Sequence, residues 1–201
     1  MPKKIFIDGG GWNGCSTQKF LKDKKEKDWN VFIFEPNKYL KDDLSKIVEQ
    51  FSNAVHYQKA ISTHNDKQTF YIIHTPAAIP WTGCEKKSGS SSLLKEKIDW
   101  KKYRKDYSGD EKSIVHCIDL SAWILNNFTK EDYIVLKLDI EGAEYDVLEK
   151  IIEDGAINLI SELYMEWHYN KVNIPKSRHD KLLKKLDTYN IKKDYNWNGA
   201  T

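Results

Sequence analysis

Little in this sequence cross-links, anchors or interrupts a chain. Its three cysteines, Cys15, Cys84 and Cys117, lie far apart in 201 residues and form no C-x-x-C pair. That odd, scattered set excludes a disulfide framework, suggests neither a zinc nor a redox centre, and fits a reducing compartment. Five prolines and ten glycines are too few for a low-complexity or collagenous chain. No apolar run approaches the length of a membrane span. Behind Met1-Pro2-Lys3-Lys4 only three apolar residues precede Asp8, far short of a signal peptide's apolar core, so a cytoplasmic protein without a membrane partner is expected. A large charge excess is also missing: 32 Lys and Arg oppose 30 Asp and Glu, a net +2, which does not point to a nucleic-acid partner.

What is present suits a globular protein. Hydrophobic residues at 40% and aromatics at 12% can build a buried core, and the length favours one domain over residues 1–201. The lysine runs Lys22–Lys27, Lys101–Lys105 and Lys181–Lys185 are interleaved with acidic, aromatic or apolar residues, which reads as solvated helix faces.

A repeating order of strand, turn and helix runs along the chain. Ile5-Phe6-Ile7 ends in Asp8 and a glycine cluster, with a helix over Ser16–Lys27. Val31–Phe34 ends at Glu35-Pro36-Asn37, with a helix over about Tyr39–Phe51. Val55–Ile61 is a third strand, Ile134–Leu138 a fourth, and Leu159–Trp167 a fifth; Ala143–Glu153 between the last two has helical apolar spacing and stops at Gly155. Continuous apolar runs are strands covered on both faces. The expected fold is therefore α/β, a Rossmann-like doubly wound, mostly parallel sheet with its ligand site at the carboxyl ends of the strands.

Further elements interrupt and finish this series. Gln68–His74 and Val115–Asp119 are additional strands and Leu120–Phe128 a short helix, while Thr75–Lys112, with Trp81, Trp100 and Tyr103, reads as an inserted loop. Such an insertion is either a surface excursion or a segment carrying substrate contacts. After a helix over about Lys176–Tyr189, Asn190–Trp197 offers one short strand. The sheet is thus expected to be abbreviated at its C-terminal edge or completed by a second copy in a homo-oligomer.

The candidate chemistry lies at strand ends. Asp8-Gly9-Gly10-Gly11-Trp12-Asn13-Gly14 places an acid before glycines that permit close backbone approach, and Gly9, Gly11 and Gly14 fit G-x-G-x-x-G. Asp8 would oppose a pyrophosphate and suits a cationic donor such as S-adenosylmethionine, or else it simply caps the next helix. Glu35, about twenty residues beyond the glycine loop, can accept hydrogen bonds from both ribose hydroxyls. Pro36 and Asn37 would line the same pocket or terminate the strand. Lys137-Leu138-Asp139-Ile140-Glu141-Gly142-Ala143-Glu144 puts three carboxylates at and beyond a strand's carboxyl end.

That last phrase, L-K-L-D-I-E-G-A-E, is where the sequence comes to resemble the FkbM-like methyltransferases. Asp8 to Thr17 is similar to the family's D-x-G-A-N-x-G-x-x-T cofactor loop, Phe34-Glu35-Pro36-Asn37 to its ribose-binding E-P, Ala60-Ile61-Ser62 to its third-strand ending, and Glu166-Trp167-His168 to its late E-x-H. Trp12 departs from the pattern, standing where the family usually has Asn, with Gly11 for the preceding Ala.

The resemblance implies transfer of a methyl group from S-adenosylmethionine to a hydroxyl of a sugar, glycan or small molecule. It also implies cofactor contacts from Asp8, Gly9, Gly10, Asn13, Gly14, Thr17, Glu35, Pro36, Asn37, Ala60, Ile61 and Asp139. For acceptor chemistry the candidates are Asp139, Glu141, Glu166 and His168, with Glu144 either functional or stabilising its helix N-terminus. His168 has an ordinary pKa suited to a base, or is a structural histidine. Asp139, Glu166 and His168 also form a possible ligand set for a divalent metal. Three other readings stay open: a nucleic-acid methyltransferase, a non-catalytic cofactor-binding module, and an NAD-dependent oxidoreductase, which would leave the Asp139–Glu144 carboxylates without a role.

Overall fold

The computed structural model describes residues 2–24, 28–72, 91–95 and 111–197. The core is a sheet of six parallel strands in the order β3-β2-β1-β7-β8-β9. They are β1 (Lys4–Gly9), β2 (Trp29–Phe34), β3 (Ala54–Tyr57), β7 (Tyr133–Leu138), β8 (Ile160–Met165) and β9 (Lys192–Asp194). β1 lies at the centre, in register with β2 from Lys4↔Trp29 to Gly9↔Phe34 and with β7 from Lys4↔Tyr133 to Gly9↔Leu138. Consequently the ends of β1, β2 and β7 fall at one level, and Asp8, Glu35 and Asp139 come to one edge.

The doubly wound expectation follows from side-chain alternation along these strands. Ile5 and Ile7 enter one buried cluster with Ile134, Leu136, Tyr145, Leu148 and Ile151, whereas Phe6 enters the other with Phe20, Val31, Ile33, Leu44 and Ile47. Helices α1 (Cys15–Lys24) and α2 (Lys41–Gln50) cover the second cluster, and α3 (Leu120–Asn127), α4 (Glu144–Glu153) and α5 (Lys176–Leu186) lie with the first. Both faces are dry, which explains the unbroken apolar runs. Among the described residues no helix is long and apolar enough to cross a membrane.

The expected third strand, Val55–Ile61, is corrected. It divides into β3, on the edge of the large sheet, and β4 (Ala60–Ser62), which leaves that sheet to pair with β6 (Glu111–Asp119). A mixed three-stranded sheet results, β4-β6-β5, in which β5 (Lys67–Ile72) runs antiparallel to β6. Strand β6 begins four residues before the expected Val115: it is paired to β5 from Ile72↔Glu111 onward, and its exposed positions Lys112, Ile114 and His116 leave no continuous apolar run to mark it.

Most of the expected insertion over 75–112, including Trp81, Trp100 and Tyr103, lies outside the described residues, as do Cys84 and Lys101–Lys105. Its described part is not a plain excursion: Ser92 pairs with Tyr71 and reaches the strand-end site. At the C-terminal edge the single short strand β9 is parallel to β8. Among the described residues, antiparallel strand pairing is confined to the small sheet.

Candidate functional site

The glycine loop is held by its own strand neighbours. Gly10 N and Gly11 N donate to Phe34 O at 3.0 and 3.2 Å, and Asp139 N donates to Gly9 O at 3.0 Å. Gly10 has φ +77, and a Cβ there would stand 1.8 Å from Asp139 O. Glycine is required at that point so that the loop can lie against the end of β7. Asn13 Oδ1 accepts from Cys15 N at 3.2 Å and caps the start of α1. Trp12 adopts φ 45, a left-handed conformation that Asn tolerates better than a bulky residue, which is the physical content of the departure from the family pattern.

Asp8 is held by partners inside the protein. It is fully buried, its Oδ2 accepts from Ser16 Oγ (2.6 Å) and Thr17 Oγ1 (2.7 Å), and its Oδ1 lies 3.1 Å from Lys137 Nζ. Its charge is answered inside the protein by a lysine that is itself buried and also donates to Gly10 O at 2.7 Å. Burial disfavours the Lys137 ammonium, but Asp8 and Asp139 more than compensate and raise its pKa. Asp8 and Thr17 thus position the loop and α1.

Glu35 closes the loop from the β2 side. Its Oε2 accepts from Trp12 N at 3.1 Å and its Oε1 from Asn37 N at 2.8 Å. Burial pushes its carboxyl up to about 7, against the lowering effect of those two amides. Asn37, fully buried behind the buried Pro36, accepts from Tyr39 N at 3.1 Å and so caps a short 3-10 turn ahead of α2. Ala60 and Ile61 are buried, and a Cβ on Gly9 would lie 2.8 Å from Ile61 Cδ1. The end of β4 therefore backs onto the same loop.

Beyond β7 the backbone folds back on itself. Glu141 (φ 59) and Gly142 (φ 109) are both left-handed, an unusual conformation for a glutamate and a cost carried at a site-facing residue. Side chains of Val172 and Leu94 leave no room for a Cβ on Gly142. Gly142 N donates to Glu144 Oε2 at 2.8 Å and Ser92 Oγ donates to Glu141 O at 2.8 Å, fastening the turn from both sides.

The turn directs Glu141 at His168. His168 is fully buried; its Nδ1 lies 2.9 Å from Glu144 Oε1, and its Nε2 faces Glu141 Oε2 (3.3 Å), Glu166 Oε1 (3.4 Å) and Asp139 Oδ1 (3.7 Å). Burial opposes charge on this imidazole, but the hydrogen bond to Glu144 and the nearby Glu166 and Glu141 carboxylates raise its pKa to about 10. This corrects the ordinary near-neutral value assumed from sequence. Asp139 is pushed up to about 6 by burial, against the pull of Lys137. Glu166 is held down to about 2, chiefly by His168, and its half-exposed carboxylate also pairs with Lys171 at 3.1 Å.

Comparison with known proteins matches the sequence to a family. Residues 8–195 fit the family described as the Methyltransferase FkbM domain. The chain belongs to the FkbM methyltransferase family. The fold of this FkbM domain is similar to the crystal structure of Methyltransferase FkbM from Methylobacillus flagellatus KT, with TM-score 0.53 and 13% identity. The similarity covers 91% of this chain but 37% of the other. Among curated protein sequences none matches significantly.

Two neighbours of the site in the FkbM domain, Lys137 and Ser92, escaped the sequence reading, and a third, Glu144, was left open by it. Lys137 had a visible signal, a lysine between Leu136 and Leu138 in an otherwise apolar strand. Glu144 is fully buried and grips His168, where sequence left a helix-end role open. Ser92 had no signal. Of the three residues grouped from sequence as metal ligands, the structure keeps Asp139 and His168 together with Glu141, while Glu166 stands at the rim.

Proposed function

We propose that this methyltransferase uses S-adenosylmethionine and transfers its methyl group to a hydroxyl oxygen of a sugar, glycan or small molecule. The observation that carries the reading is the contact of the glycine loop with the end of β7, which sets Glu35 and Asp139 on either side of Gly10. Glu35 would accept the two ribose hydroxyls, with Gly9, Gly10 and Ile61 shaping the pocket and Pro36, Asn37, Asn13, Gly14 and Thr17 holding its walls.

The sulfonium methyl is already electrophilic, so the chain must align it with the acceptor oxygen and receive or orient the hydroxyl proton. Asp139, Glu141 and His168 converge beside the loop and supply oxygen and nitrogen atoms for that purpose. Family membership replaces the nicotinamide oxidoreductase reading. Calorimetric titration with S-adenosylhomocysteine and with NAD tests the cofactor: only the former should bind. Assay across sugars, glycans, small phenols and RNA then tests the acceptor, and cofactor binding without turnover on any of them would favour the non-catalytic reading.

A further inference from the structure

The Nε2 of His168 is a fully buried polar atom with no hydrogen-bond partner among the described residues. It is aimed at carboxylate oxygens of Glu141, Glu166 and Asp139 that stay 3.3, 3.4 and 3.7 Å away. A charge-assisted hydrogen bond would close one of these to ~2.8 Å. The observed distances are instead those between ligands of one ion: two atoms each ~2.1 Å from a metal, at a roughly tetrahedral angle, stand ~3.4 Å apart. One ligand atom each from Asp139, Glu141 and His168 falls within 4.8 Å of the others.

The other side of the ring is built accordingly. Nδ1 faces the fully buried Glu144 carboxylate at 2.9 Å, and a carboxylate accepting from one ring nitrogen aims the other outward, where a cation can displace its proton and take the lone pair, as at metal-binding histidines. Charge favours a cation as well. Four carboxylates, Asp139, Glu141, Glu144 and Glu166, surround the ring, while the nearby ammonium groups are Lys137, shared with Asp8, and Lys171 on Glu166.

We propose that Asp139, Glu141 and His168 bind a first-row divalent cation, with Glu166 at its rim and the acceptor hydroxyl taking an open position on the ion. Two carboxylates and one imidazole suit such an ion, and the contact of Asp139 with Gly9 and Gly10 places it beside the cofactor loop. The acceptor part rests on the methyltransferase reading; the ion site does not.

Titration of the full chain with Mn2+, followed by electron paramagnetic resonance, tests the site. One saturable Mn2+ per chain is expected, weakened at least tenfold in Asp139→Asn and Glu141→Gln and by roughly 10–100-fold in Glu144→Gln, which removes the charge behind the ring. Glu149→Gln, on the exposed face of α4, should bind as the parent does, and melting temperatures identify any variant that fails to fold. Absence of a saturable site tighter than about 1 mM, or unchanged binding in folded Asp139→Asn and Glu141→Gln, overturns the proposal. S-adenosylhomocysteine titrated into the same samples separates the two readings: cofactor binding without an Mn2+ site removes the ion alone, and an Mn2+ site without cofactor binding removes the methyltransferase mechanism alone.

Discussion

One carboxylate oxygen, Glu144 Oε1, accepts both the backbone N–H of His168 at 3.0 Å and its ring Nδ1–H at 2.9 Å. The pair joins the first turn of α4 to the segment after β8 and fixes both the position and the tilt of the imidazole. Glu144→Gln should therefore let the ring titrate nearer neutrality than about 10, observable by NMR of the His168 ring. Turnover should fall about tenfold or more, with S-adenosylhomocysteine affinity within a factor of two. An unchanged His168 titration would remove Glu144 as its positioning residue.

If Glu35 holds the cofactor as proposed, affinity should depend on pH. Burial pushes its carboxyl up to about 7, and under the proposed cofactor reading the ionised form would accept the ribose hydroxyl protons. S-adenosylhomocysteine affinity should weaken below pH 7, approaching tenfold per pH unit, and Glu35→Gln should flatten that dependence. Stability runs the opposite way. An acid raised from 4.5 to about 7 contributes stability that is fully present below pH 4.5 and lost as pH rises through 7. This contribution is on the order of 3 kcal/mol, and denaturation of the free protein at pH 6 and pH 8 checks its sign.

Gly10→Ala should damage the loop whatever the ligand. The new methyl would meet a backbone oxygen, Asp139 O, at 1.8 Å in a left-handed conformation. A loss of ~2–4 kcal/mol in unfolding free energy is expected, together with loss of cofactor binding. Retention of both in chemical denaturation and calorimetry would mean that the loop does not need this close approach.

Glu162 supports the sheet away from the carboxylate cluster. Nearly fully buried, it accepts from Tyr133 and Tyr164 hydroxyls at 2.6 Å each, from Lys192 at 2.8 Å and from Lys24 at 3.2 Å. Burial opposes its charge, but these four donors hold its carboxyl down to about 2. Its stabilisation is present above pH 4.5 and lost as pH falls through 2. Glu162→Ala should cost roughly 1–3 kcal/mol at pH 7, chiefly by leaving the buried Tyr164 hydroxyl without its acceptor, measured by thermal melts, with less difference from the parent at pH 2.

Local chemistry was enough to read most of the architecture. Ile5–Ile7 and Val31–Phe34 are continuous apolar runs and Ile134–Leu138 is one broken only by Lys137, and each is a strand covered on both faces. The Val55–Ile61 stretch misled, since a break of two residues, Gln58 and Lys59, sends β4 into another sheet. Apolarity reports burial and is silent about which sheet does the burying.

The order of strands and helices, the glycine turn after β1 and the acids at the ends of β2 and β7 were thus set by residues close in sequence, because strand burial, helix periodicity and turn chemistry act over a few positions. The use made of each acid was decided only by folding. Lys137 neutralises Asp8 across adjacent strands, two left-handed residues swing Glu141 toward His168, and Glu144 reaches a histidine 24 positions onward. Electrostatic energy depends on separation in space and on how far water is excluded. Neither quantity exists until β1, β7 and β8 lie side by side.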